Sequence, residues 1–488
     1  MRKYLIFSTI ILLYALLGCR STGGDIDHIY IISTNDMHAS IDAMPRLATL
    51  VAEYEKRGEV VVVDSGDRVS GNAYVDDSLE PGVPMIELMN DVGYDVVTLG
   101  NHEFDRGSEA LRGMVEAADF EVVCANVVTK DGTIAIEPYT IISVAGLDIG
   151  FVGVVDTSND GYPLGGKSSY QNFTFTSDVA AAYEACEDIA SECDFVVLLS
   201  HMGLQSDELL AKRSPACHWI AGGHSHDRVN IEVNGVRITQ NNKNIRYATV
   251  ADIAVCDGEI LGVEYTMVDM SDVAVDSATM ERVEALKNSD PGLNVVEGVA
   301  FAAATKEGVA NFTIASLAEY PYEDGFTPEV SFYHYGGIRL DGFAEGDIKR
   351  AEVLNNDPFH STIYVGVLTP NQMRDFIIAK YNSGDAERPD KESHYPYFRS
   401  DAPYTILLGD ELIEAPDAVD IIFELEEREY RVAMCNYIAD NYIDSAIVAR
   451  QLRPTGVTVR EAMLHHLRSF GTEGFVPNNE CRQREIHK

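Results

Sequence analysis

Between His28 and Asp156 the chain alternates β-branched apolar runs with segments of helical periodicity, and few folds accept such an alternation. HIYIIST, EVVVVDS, YDVVTLG and FEVVCANVV read as strands, while RLATLVAEYEKRG and GVPMIELMNDVG carry apolar residues at helical spacing between them. Strands separated by helices build a parallel α/β layer. Further strands follow at TIISVAG, LDIGFVGVV, DFVVLLS and HWIAGG, then hairpin-like strands from Asp227 to Met270. The segment 28–274 is therefore expected to form two stacked sheets with helices.

With 488 residues, the chain is too long for one ordinary core, because single cores rarely grow past roughly 250–300 residues. Helix formers and the breaker SDPG after Val275 mark residues 275–300 as a linker. A smaller α+β domain is expected over 301–488. Its strands include EVSFYHY and STIYVGVL, and its helices TPNQMRDFIIAKY and TVREAMLHHLRSF.

Met1, Arg2 and Lys3 precede an apolar run from Tyr4 to Leu17 and then Gly18-Cys19. A spanning helix needs about 20 apolar residues, so residues 1–18 are expected to be an export signal peptide. LLGC resembles the bacterial lipobox, which implies a lipid anchor at Cys19 and a periplasmic or outer-surface location. Leu17 is a less usual residue there, which leaves plain signal cleavage as the alternative. Residues 19–27 form a short tether. Setting Cys19 aside leaves an odd number of the eight cysteines, none in a CxxC pair, so most are expected to be buried thiols. The net charge of −41 argues against nucleic-acid polymers as partners, since a phosphate backbone needs a basic footprint. A small anionic substrate stays possible if the site itself is positive.

The polar residues that could make it so stand at the ends of the apolar runs, where α/β sheets place their chemistry. Asp36 and His38 follow HIYIIST, with a spacing of two that puts both side chains on one side of an extended segment. Asp67 follows EVVVVDS; Asn101, His102 and Asp105 follow YDVVTLG; His201 follows DFVVLLS; His224 and His226 follow HWIAGG. A lone Asp or His at such a place is usually a turn residue, but five blocks in order are hard to dismiss. Carboxylate oxygen with imidazole nitrogen suits zinc, manganese or iron. Two such ions at about 3.5–4 Å can clamp both oxygens of a displacement at phosphorus. Two divalent ions also outweigh the charge of Asp36, Asp67 and a bridging hydroxide.

The blocks NDMH, GDRVSGN, GNHEFD, HMG and GGHSH closely resemble the calcineurin-like metallophosphoesterase motifs of the 5'-nucleotidase family. YGGIR and DPF resemble its C-terminal substrate domain, at Tyr335 to Arg339 and Asp357 to Phe359. The resemblance implies a metallophosphoesterase domain followed by a substrate-binding domain. It assigns Asp36, His38, Asp67 and His226 to one metal ion and Asp67, Asn101, His201 and His224 to a second, with Asp67 as the bridge. His102 matches the catalytic histidine, with Asp105 orienting it, and the attacking group is a hydroxide held between the metals. Arg339 matches an arginine that reaches the substrate.

Family members that act on nucleotides stack the base between two rings. Tyr437 in CNYIADNYIDS is the candidate for one, and Tyr397 or Phe398 in HYPYF for the other. The family's glycines in the segment of the Tyr437 ring are missing here, and His334 replaces its asparagine before GGIR. These departures spare the metal set and touch the specificity pocket. Phosphate release from nucleoside monophosphates is thus the first expectation. The same chemistry on cyclic nucleotides, nucleotide sugars, sugar phosphates or a sulfur oxyanion ester is the alternative, and a ligand-binding lipoprotein without turnover is the reading from another class.

Overall fold

The strand Asp27–Thr34 is apolar at its four central positions, Ile29 to Ile32, because both of its faces are covered. Ile29 and Ile31 point into one hydrophobic cluster and Tyr30 and Ile32 into another, as the two-residue period of a strand requires. The computed structural model describes residues 26–130, 132–157, 161–165, 167–213, 215–383, 398–409 and 418–487. The signal peptide and most of the tether expected at the N-terminus lie outside these residues, as does Tyr397. No helix among the described residues is long and apolar enough to cross a membrane.

The chain divides into two compact units, Met1–Leu286 and Lys287–Lys488. In the first unit Asp27–Thr34, Glu59–Asp64, Val96–Thr98 and Glu121–Val123 run parallel, and Tyr247–Cys256 and Glu259–Asp269 extend the sheet antiparallel on the other side. A second six-stranded sheet has Leu147–Val155, Phe195–His201, Trp219–Gly222 and Val236–Asn241 parallel at its centre. Ile31, Val61 and Val63 of the first sheet meet Phe151, Val197 and Trp219 of the second in one cluster. Helices cover the outer faces: Met44–Glu55 and Val83–Val92 the first sheet, Asp178–Ile189 and Leu204–Ala211 the second. The stacked-sheet α/β architecture expected from the sequence is therefore present. The strands after Asp227 divide between the sheets: Arg228–Val233 with Val236–Asn241 edges the second, and the next pair edges the first.

Local sequence explains the helices that position these strands. Val83–Val92 starts with a proline at its second residue and stops at Gly93, whose φ of 87° lets its N–H turn back to Met89 and Asn90. Buried Met44, Leu47, Leu50 and Val51 give Met44–Glu55 one apolar stripe.

The second unit is α+β, as expected. Phe398–Ser400, Val330–His334, Tyr430–Cys435, Thr362–Leu368 and Leu452–Thr458 form a mixed five-stranded sheet. Helix Lys306–Glu319 and helix Val459–Ser469 pack in its own core, the latter opened by a Thr458 and Glu461 capping box. Residues 275–300 hold helix Ser277–Ser289 and strand Val296–Ala300.

Candidate active site

Parallel pairing continues past the strand ends in the first unit, and this is what gathers the site. The Asp36 N–H donates to Gly66 O at 2.9 Å, His38 N–H to Asp67 O at 2.9 Å and Ala39 N–H to Arg68 O at 2.9 Å. The loops after strands Asp27–Thr34 and Glu59–Asp64 thus run side by side. From the second sheet, the His224 N–H donates to Asp36 Oδ2 at 3.0 Å.

The backbone here differs from the extended segment expected for Asp36 and His38. Asp36, His38, Asp67, His224 and His226 all have φ between 45° and 76°. Residues with a Cβ hold left-handed conformations at a cost, and such strain gathers at functional sites. The glycines beside them serve mainly close approach. A Cβ on Gly100 would stand 2.2 Å from Asp67 Oδ1, and one on Gly223 would stand 3.0 Å from both Asp36 Oδ2 and His201 Nδ1. Sequence showed the glycines but not this reason for them.

All seven candidate ligands come together. His38 Nε2 lies 3.0 Å from His226 Nε2, and His226 Nε2 lies 3.3 Å from Asp36 Oδ1. His201 Nε2 is 3.1 Å from Asp67 Oδ2 and 3.2 Å from Asn101 Oδ1, which is 3.0 Å from His224 Nδ1. Donor atoms group as Asp36, His38 and His226, as His38, Asp67 and His102, and as Asp67, His201 and His224, each within 4.8 Å. Asp67 joins the last two groups. Separations near 3 Å between donor atoms are edges of a coordination polyhedron whose bonds to the ion are about 2.0–2.2 Å. The donor set therefore fits divalent cations.

Electrostatics agree. Burial opposes ionisation of Asp36, yet the His226 imidazole holds its carboxyl below the usual range. Burial likewise opposes Asp67, and His201 and His102 hold it well below. Burial works against a charge on His201 as well, but Asp67, Asp36 and the Ser65 carbonyl lift its pKa to about 10 in the metal-free protein. His201 Nδ1 donates to Ser65 O at 2.7 Å, since a carbonyl can only accept, and Nε2 is left facing Asp67.

His102 and Asp105 stand beside this cluster. His102 Nδ1 is 2.7 Å from Asp105 Oδ2, so it carries the proton donated to that carboxylate, and Nε2 points to within 3.7 Å of Asp67 Oδ2. Ser70 Oγ donates to the same Asp105 oxygen at 2.6 Å. Ser70 escaped sequence reasoning because a loop serine carries no spacing signal. Glu103 escaped it too: the residue sits inside GNHE, but its carboxylate is fully buried and faces backbone rather than the ligand cluster.

The substrate candidates lie in the second unit. Tyr437 is partly buried and stacks on His334, with ring centroids 4.4 Å apart and planes at 26°. Lys380 Nζ is 5.9 Å from the Tyr437 ring and 3.2 Å from Tyr442 Oη. The Arg339 guanidinium lies 5.5 Å over the Phe359 ring. Phe398 is a correction: it is fully buried, among Phe376, Tyr442 and His334, and offers no ring face to a ligand. It is the first residue of strand Phe398–Ser400, whose side chains are all buried.

Residues 29–228 match the family model described as calcineurin-like phosphoesterase. The chain is 27% identical over 402 residues to endonuclease YhcR of Bacillus subtilis (strain 168), covering 72% of this chain and 32% of that protein. It is 25% identical over 505 residues to the trifunctional nucleotide phosphoesterase protein YfkN of the same organism, covering 87% of this chain and 34% of that one. The chain thus spans about a third of the length of both. The crystal structure of a 5'-nucleotidase precursor from Thermus thermophilus superposes with a TM-score of 0.78 at 19% identity, over 94% of this chain and 99% of that one. Residues 29–228 are thus similar to calcineurin-like phosphoesterases, and the fold of the chain is like that of the Thermus 5'-nucleotidase precursor.

Proposed function

We propose that this protein is a metal-dependent phosphoric ester hydrolase that releases phosphate from nucleoside monophosphates. The observation that carries the reading is the convergence of Asp36, His38, Asp67, Asn101, His201, His224 and His226, beside the His102 and Asp105 pair. Asp36, His38, Asp67 and His226 would hold one divalent ion and Asp67, Asn101, His201 and His224 the other. When bound, these ions supply Lewis-acid activation of water and of the phosphoryl oxygens.

The chain's own residues do the rest. Asp105 fixes the His102 tautomer, which directs Nε2 toward the side where the ligands gather. An imidazolium there stabilises charge on the phosphoryl group or gives its Nε2 proton to the leaving oxygen. Simple ligand capture has no use for such a pair. Arg339 would bind anionic oxygens through its forked donors, and Tyr437 would offer a ring to the base. The nucleotide part rests on the Thermus and Bacillus likenesses, and export rests on residues 1–19 of the sequence.

The test is phosphate release from a panel of nucleotides, cyclic nucleotides, nucleotide sugars and DNA, with His102→Ala beside the parent. We expect turnover of 5'-nucleotides and a loss of about 10²–10⁴-fold in kcat for the variant. Inactivity on every 5'- and 3'-nucleotide would defeat the substrate assignment, and full turnover by the variant would defeat the role of His102.

A further inference from the structure

Glu103 has no exposed surface, and its carboxylate accepts from three backbone N–H groups. Its Oε2 accepts from Asp67 N at 2.9 Å and from Gly100 N at 2.6 Å, and its Oε1 accepts from Arg68 N at 2.9 Å. Asp67 and Arg68 follow strand Glu59–Asp64, whereas Gly100 follows strand Val96–Thr98. One side chain thus ties together two loops on adjacent strands. Each loop carries candidate site residues: Asp67 on the first, Asn101 and His102 on the second.

The tie acts where the geometry is least tolerant. Asp67 has φ 57°, and Gly100 lies so close that a Cβ there would be 2.5 Å from Asp67 N. The Asp67 side chain in turn accepts from the His102 N–H at 2.9 Å through Oδ1. Removing the Glu103 acceptors leaves buried N–H groups without partners, which costs more than the bonds gained on folding. The loops can recover those partners only by moving. Movement at Asp67 shifts the shared carboxylate, and movement at Gly100 shifts Asn101 and His102 with it. Neighbouring carboxylates hold the rest of the first loop: Asp64 accepts from Gly66 N at 3.0 Å, and Asp76 accepts from Ser70, Gly71 and Asn72 N at 2.7–2.9 Å. Those contacts lie within one loop or its own strand. Glu103 joins the backbone of the bridging-ligand loop to that of the His102 loop, alongside the side-chain links from His102 N–H to Asp67 and from Ser70 to Asp105.

We infer that Glu103 is a positioning residue, which sets the separation between Asp67 and the Asn101-His102 pair and so the relative placement of the metal bridge and the histidine. The inference rests on the proposed function for its catalytic consequence and on the hydrogen bonds alone for its structural one.

Glu103→Gln keeps the volume but turns an N–H toward a backbone N–H, so at least one loop loses its partner. Three measurements on the full chain test this. In metal-free protein, amide hydrogen exchange at Asp67, Arg68 or Gly100 is expected to quicken by about tenfold or more while amides of strand Phe195–His201 keep their rates. Titration with manganese or zinc is expected to show affinity falling about 10–100-fold for at least one ion, the range typical for lost outer contacts of a metal site. With phosphate esters, kcat is expected to fall about 10–100-fold with KM within about twofold, a split that general loosening of the fold would not give. Glu103→Asp restores the charge but not the reach, and is expected to stay near the glutamine variant. Unchanged exchange at those amides, unchanged ion affinity, or full recovery in the aspartate variant would overturn the inference. A parent protein that binds ions without hydrolysing esters would defeat the proposed function instead, and the exchange and affinity measurements would still judge Glu103.

Discussion

Asp67 is held in a left-handed backbone by bonds from every side: Glu103 on its N–H, His38 on its carbonyl and His102 on its carboxylate. A residue fixed so firmly, with Oδ2 3.1 Å from His201 and 3.7 Å from His102, is placed to be shared. If it bridges, Asp67→Ala removes a ligand from both ions at once, and metal analysis should find both depleted together; one ion left at parental occupancy would refute the bridge. Asp207 makes a different prediction. Burial pushes its carboxyl up to about 7, although Ser200 Oγ donates to it at 2.5 Å. An unfolded aspartate titrates near 3.9. Between about pH 4 and 7 the folded protein therefore keeps a proton that the unfolded chain releases, and stability falls as pH rises, by up to about 1.4 kcal/mol per unit. This contribution is whole below about pH 4 and lost above about 7. Asp207→Asn should remove it, which denaturant unfolding of metal-free parent and variant at pH 5 and 7 would register as a shallower slope in the variant.

Among elements, legibility followed the physics that each signal encodes. Apolar strands and the stripes of Met44–Glu55 and Val83–Val92 are periodic, so sequence revealed them. The ligand blocks were visible because parallel sheets end their strands on one side. The two hairpins after Asp227 were seen as strands, but which sheet each joins depends on long-range pairing that no local pattern carries. Phe398 was misjudged because an aromatic residue in a cleft and one in a core have the same sequence appearance. Close approach is equally invisible. Gly153, inside strand Leu147–Val155, faces the first sheet so tightly that a Cβ would stand 2.1 Å from Val123 O and 2.6 Å from Thr98 Oγ1. Gly113, inside helix Gly107–Ala117, has only Val83 Cγ2 at 3.7 Å. Gly153→Ala should therefore destabilise by about 1–3 kcal/mol through overpacking between the sheets. Gly113→Ala should stabilise by up to about 1 kcal/mol through helix propensity. Denaturant midpoints for the two variants that moved in the same direction would contradict this account.

At the scale of the molecule, each unit has hydrophobic clusters of its own. The clusters built around the stacked sheets end at Val283, and the cluster of the second unit begins at Ala300. Each unit thus has the apolar interior that a cooperative transition requires, and two-state behaviour is not expected of such a chain. Every candidate metal ligand belongs to the first unit. A ligand that binds only the folded form stabilises what it binds, by about 2.7 kcal/mol at a free concentration of 100 Kd. Calorimetry of the full chain should then resolve two transitions. Adding manganese or zinc should raise one of them, chelator should reverse the shift, and the other should stay in place. Asp67→Ala should abolish the metal-induced shift without moving the second unit's transition. A single transition that metal moves as a whole would mean that the two units unfold as one.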